Sequence, residues 1–125
     1  MVTFDFVTHK DLRTSLVADY AEMCACLEAK SWKAVHVLAG SIIEALLVDY
    51  LVLSDYQKKA SQDPLKMALD ELISACKRER VLSQKTAELC NVIKHHRNLI
   101  HPGRGIRLKE KVDEPSARIA HALVE

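Results

Sequence analysis

The chain contains few of the residues that build turns and aromatic cores. Among its 125 residues there are only three glycines and three prolines, and 5% are aromatic. This composition disfavours a β-sandwich, which needs many turns and strands rich in aromatic residues. The hydrophobic fraction of 49% is enough for one compact core. We therefore predict an all-α protein with a single domain over residues 1–125.

The sequence also lacks the short motifs of common enzymes and metal sites. It has neither a glycine-rich phosphate loop nor a GxSxG nucleophile elbow. Its four cysteines form no CxxC pair, and Cys24 and Cys26 would point about 200° apart on a helix. We expect free thiols in a reducing, cytoplasmic environment, without a metal site or a cofactor.

A membrane location is not expected from this sequence. The first six residues lack the basic and apolar regions of a signal peptide. The longest apolar run, residues 34–53, contains His36, Glu44 and Asp49, and such residues are costly in a lipid bilayer. This run is better interpreted as the central helix of a bundle.

Apolar residues at three- and four-residue intervals predict a four- to five-helix up-down bundle. A polar basic loop at residues 103–114 separates the fourth helix from a short helix that begins at Pro115. Gly40 lies in the middle of the second helix, where it costs about 1 kcal/mol relative to alanine, so a close helix crossing is expected there. The predicted caps and ends of the four long helices are Thr8 to about Lys30, Ser31 to about Leu53, Asp63-Pro64 to about Arg80, and Ser83 to Pro102-Gly103. The predicted buried positions of the second and fourth helices include Leu46, Tyr50, Ala87, Leu89, Cys90 and Ile93.

The segment from Arg97 to Pro102 closes the fourth helix with an arginine and a histidine one turn apart. Arg97 offers a planar set of donors to phosphate oxygens, and His101 can move a proton near neutral pH. The pair therefore suits a phosphodiester. Alternatively, both side chains only cap the last carbonyls at the negative end of the helix dipole.

Basic charge is concentrated around this segment. Residues 94–111 contain six lysines or arginines and one acid, a balance of +5 in a chain of net charge +1. A polyanion would be attracted to such a patch, whereas the alternative is a solvated loop without a specific partner. His95 and His96 are 100° apart on the helix, so at least one of them faces solvent. The predicted nucleic-acid contacts are Lys94, His96, Arg104 and Arg107.

Two helices together carry a resemblance to the HEPN superfamily of small helical domains. The second helix contains A-G-x-x-x-E-x-L-L at residues 39–47, and R-N-x-x-H-P follows at residues 97–102. The resemblance covers about residues 30–110. It implies a homodimer that acts as a metal-independent endoribonuclease in toxin–antitoxin or antiviral defence systems.

The resemblance also implies roles for individual residues. Arg97 would neutralise the scissile phosphate, and His101 would act as general base or acid on the ribose 2′-hydroxyl or the leaving oxygen. Asn98 would either orient the phosphate or cap the helix. We expect Glu44 to pair with Arg97 or a nearby histidine, unless it is simply exposed on its helix.

The spacing of the motif departs from that of the ribonucleases in this superfamily. Those members have four to six residues between the arginine and the histidine, whereas three separate Arg97 from His101. One residue fewer rotates a helical side chain by about 100°, but Pro102 disfavours helical geometry at His101 and can redirect its ring. Two hypotheses remain: a protein that engages RNA or a nucleotide and cleaves RNA, or a non-catalytic module that binds a protein partner through its dimer face or the apolar tail near Leu123.

Overall fold

Five α-helices and one 3₁₀ turn make up the regular structure of the described residues. The computed structural model describes residues 4–54, 62–80, 82–98 and 113–124, apart from the side chains at positions 96 and 97. The predicted all-α class is confirmed for this part of the chain. The helices are α1 Lys10–Glu28, α2 Trp32–Leu53, α3 Leu69–Arg78, α4 Gln84–Asn98 and α5 Glu114–Val124, and the 3₁₀ turn is Pro64–Lys66.

Helix α2 is the axis of the bundle. It packs against each of the other four helices, while α1 and α4 also contact α5, and α3 contacts α4. Val35, Ala39, Ile42 and Leu51 of α2 are completely buried. Gly40 is buried as well, consistent with the close packing expected there.

The predicted bounds of α2 are confirmed, and so is its role as a core helix. It is the one helix in the described ranges whose length and composition would allow it to cross a membrane, and 56% of its apolar window is buried inside the protein. Core helices of soluble bundles share this property. The prediction that Tyr50 belongs to the buried stripe is wrong, since this side chain is 40% exposed.

The N-terminal cap of α1 differs from the prediction. Nδ1 of His9 accepts a hydrogen bond from the Leu12 backbone N–H at 3.3 Å, so His9 rather than Thr8 caps the helix. The Thr8 hydroxyl instead donates to Asp49 of α2 at 3.2 Å. A contact between segments 41 residues apart has taken the side chain that local capping would have used.

The predicted third helix is interrupted. The Asp63 carboxylate accepts from the Leu65 N–H at 3.0 Å, as an N-cap does, but only a 3₁₀ turn follows because Met67 is extended, with φ −86° and ψ 146°. Glu71 then accepts from the Ala68 N–H at 3.1 Å, at the start of α3. The interruption lets both Met67 and Leu69 reach the core, where they are 5% and 2% exposed.

Helix α4 begins at the predicted cap. Ser83 Oγ accepts from the Thr86 N–H at 3.1 Å. Ala87, Cys90 and Ile93 are buried as predicted, but Leu89 is 40% exposed. Leu89 is wrong because it lies 100° away from Cys90 and 200° away from Ala87, outside the narrow face that α4 turns to the core.

Candidate functional site

The predicted catalytic pair lies at the edge of what the structure describes. The α4 backbone includes Arg97, but the side chains of Arg97 and His96 are outside the described set, and so are His101, Arg104 and Arg107. The convergence of Arg97 and His101 on a common cleft therefore stays a prediction.

The described members of the predicted site lie on α4 and α2. Lys94 and Asn98 of α4 are half-buried, and His95 is exposed. Glu44 of α2 is half-buried, so it does not occupy the fully exposed position considered as the alternative. Because α2 packs against α4, the helix that carries Glu44 contacts the helix that carries Arg97. Pairing of these two side chains stays a prediction.

A buried polar contact between α2 and α5 was missed by the sequence analysis. Nε2 of His36, which is completely buried, lies 2.9 Å from the Ser116 hydroxyl. The two residues are 80 positions apart, and no local pattern links them. The contact attaches the start of α5 to the first half of α2.

Ser116 also organises the first turn of α5. Its backbone N–H donates to the Asp113 carboxylate at 3.0 Å, and the Asp113 N–H donates to the Ser116 hydroxyl at 3.1 Å. This reciprocal arrangement satisfies two N–H groups at a helix start. Since Asp113 follows the predicted basic loop, this loop connects the end of α4 to a point anchored on α2.

A second cluster of reactive side chains lies where α1 meets α5. Sγ of Cys24 is 3.5 Å from Nε2 of His121, and the ring of Tyr20 stacks on that of His121 at 6.2 Å with an interplanar angle of 24°. Phe4 contacts Tyr20 edge to face at 6.0 Å. The sequence analysis missed this cluster because 97 residues separate the thiol from the imidazole.

All four cysteines are free thiols, as predicted, but their environments differ. Cys24 and Cys26 are half-buried, whereas Cys76 and Cys90 are buried. Burial, together with the nearby Cys90, raises the pKa of Cys76 from 9.0 to about 12. Burial also raises the pKa of Cys90. The thiols of α3 and α4 are therefore held in the protonated form at neutral pH.

Within the described ranges, no group of three or more His, Cys, Asp or Glu side chains comes together in a way that would hold a metal ion. Comparisons of the chain with protein-family models, curated proteins and solved structures found no match. The functional interpretation therefore depends on the chemistry of the chain itself and on the resemblance of its two motif-bearing helices.

Proposed function

We propose that the protein is a HEPN-like helical domain that binds RNA as a homodimer through the basic end of α4 and the loop after it. The observation that supports this is the direct packing of α2 on α4. These are the two helices that carry the resemblance, with Gly40 buried and Glu44 half-buried on α2. The fold thus brings the two halves of the motif onto neighbouring helices.

Under this proposal, charge provides affinity and two side chains provide the chemistry. Lys94, Arg104 and Arg107 neutralise phosphates without reading the sequence, so binding weakens as salt increases. Arg97 holds the scissile phosphate, and His101 transfers a proton to or from the ribose 2′-hydroxyl or the leaving oxygen. Neither step requires a metal ion.

A non-catalytic role as an interaction module is the second candidate. Leu89 and Val92 lie three residues apart on α4 and are 40% and 38% exposed. Such a pair on one helix face suits an interface with a second copy or with a protein such as an antitoxin. Leu123, by contrast, packs partly against the protein's own core, so the exposed pair on α4 is the better candidate surface.

Cleavage and binding of a fluorescent RNA in the presence of EDTA test the proposal. We expect wild-type protein to cleave, and Arg97→Ala and His101→Ala to lower the rate about 100-fold or more, the usual contribution of a positioned acid or base. Lys85→Ala is the matched control, because Lys85 is an exposed cation at the opposite end of α4, and its rate should equal that of the wild type.

The outcomes separate the two candidates. Cleavage that is unchanged in His101→Ala would discredit the proposed catalytic pair. Salt-sensitive binding without cleavage would contradict the nuclease activity but support an RNA-binding domain. If RNA does not bind at moderate salt while Leu89→Glu dissociates a dimer in sedimentation experiments, the interaction module is the better description.

A further inference from the structure

The Cys24 thiol and the His121 imidazole form a pair with the geometry of an activated nucleophile. Their Sγ and Nε2 atoms are 3.5 Å apart, which is within hydrogen-bonding distance for sulfur. Both side chains are half-buried, so they are held in place by α1 and α5 while remaining partly accessible. A thiol next to an imidazole can pass its proton to the ring nitrogen and become a thiolate, which is the reactive form.

The other three cysteines lack this arrangement in different ways. Cys76 and Cys90 are 0% and 6% exposed, and burial raises the pKa of both thiols. Cys26 is as accessible as Cys24 by class, but it points about 200° around α1 and packs against the core. The chain therefore contains its own controls for the reactivity of Cys24.

Aromatic rings lie beside the Cys24 thiol. Tyr20 is one helical turn before Cys24 on α1, so the two side chains share a face. The Tyr20 ring lies between those of His121 and Phe4, at centroid distances of 6.2 and 6.0 Å. This flat, largely apolar surface suits a small planar electrophile better than a charged one.

We propose that Cys24 is a covalent modification site for small, electron-poor alkenes, with His121 as the proton acceptor. The thiol proton moves from Sγ to Nε2 of His121, and the thiolate adds to one alkene carbon. A carbon–sulfur bond forms as the carbon–carbon π bond breaks. The resulting carbanion takes the proton back from His121, so that the addition balances without a further reactant.

This site is independent of the proposed RNA site, because it lies on α1 and α5 while the predicted RNA contacts lie on α2, α4 and the basic loop. The test is to expose the folded protein briefly to N-ethylmaleimide and to map each labelled cysteine by peptide mass spectrometry. We expect Cys24 to react about tenfold or more faster than Cys26, in line with the effect of a neighbouring imidazole on a thiol.

Two variants carry the same substitution at different histidines. His121→Gln should lower the Cys24 rate to near that of Cys26, while His95→Gln, at an exposed position on α4, should leave it unchanged. Cys76 and Cys90 report on folding, because they react only if the bundle opens. In urea, all four thiols should react at similar rates.

Equal labelling of Cys24 and Cys26 in the folded wild type would overturn the proposal. A folded His121→Gln protein with an unchanged Cys24 rate would also overturn it. If His121→Gln exposes Cys76 and Cys90, it has unfolded, and His121→Asn replaces it in the same comparison. Should both variants unfold, the ratio of Cys24 to Cys26 labelling in the wild type decides: about ten or more supports the proposal and a ratio near one refutes it.

Discussion

At the scale of single residues, the polar side chains of the core helix hold distant segments in place. Asp49 is 2% exposed and accepts hydrogen bonds from the Thr8 hydroxyl at 3.2 Å and from the His9 N–H at 3.3 Å. His36, also buried, contacts Ser116. The sequence analysis used these residues only as evidence against a membrane span. In the fold they are attachment points for the chain before α1 and for the start of α5.

Replacing Asp49 with alanine should destabilise the protein by about 1–3 kcal/mol, because the partners at Thr8 and His9 lose their acceptor. Urea unfolding followed by circular dichroism measures this change. The exposed Asp5 provides the control: Asp5→Ala should stay within about 0.5 kcal/mol of the wild type. Equal losses in the two variants would contradict the role of Asp49.

At the scale of helices, local capping rules held at some starts and failed where a distant partner intervened. Ser83 caps α4 as expected, while Thr8 binds α2 instead of capping α1. Ser31 occupies the N-cap position of α2, but its side chain makes no capping hydrogen bond. Helix α5 combines both kinds of contact, since Ser116 serves its own first turn and the buried His36.

Ser116→Ala should therefore cost more than an ordinary cap. The variant loses a hydroxyl that partners both the Asp113 N–H and a buried imidazole, and we expect a loss of about 1–3 kcal/mol. Amide hydrogen exchange should accelerate first in residues 114–118. Ser74→Ala, at an exposed position in α3, should change the stability by less than about 0.5 kcal/mol. Unchanged exchange at the start of α5 would contradict this anchoring role.

At the scale of the whole molecule, the bundle is organised around α2, with the other helices packed about it. The buried Cys76 shows how tightly α3 closes on this axis, since its Sγ lies 3.7 Å from the Leu47 carbonyl oxygen of α2. Opening the bundle would return this thiol to water and to its ordinary pKa of 9.0, from the value of about 12 that burial gives it.

This difference predicts how stability responds to alkaline pH. The folded state holds the Cys76 proton more tightly than the unfolded chain, so the contribution of Cys76 is complete below pH 9.0 and is lost as the pH rises toward about 12. The slope from this one group is at most about 1.4 kcal/mol per pH unit. Urea unfolding between pH 8 and pH 11 should fall less steeply for Cys76→Ala than for Cys26→Ala. Parallel curves would contradict the predicted linkage.

Much of the fold, but little of the candidate site, could be predicted from the sequence. The bounds of α2, the Ser83 cap and the free thiols were all predicted correctly. The break after Lys66 was not, because it depends on what Met67 and Leu69 meet in the core. For the site, the pattern named Arg97, His101 and Glu44, whereas the Cys24–His121 pair has no local signal at all.

The sequence by itself determined the all-helical class and the central position of α2, because both follow from composition and from the spacing of apolar residues along a short stretch of chain. Only the tertiary structure decided which polar groups meet: Thr8 with Asp49, His36 with Ser116, and Cys24 with His121. These partners are 41 to 97 residues apart. Their contacts depend on how whole helices cross and pack, and no local periodicity records that.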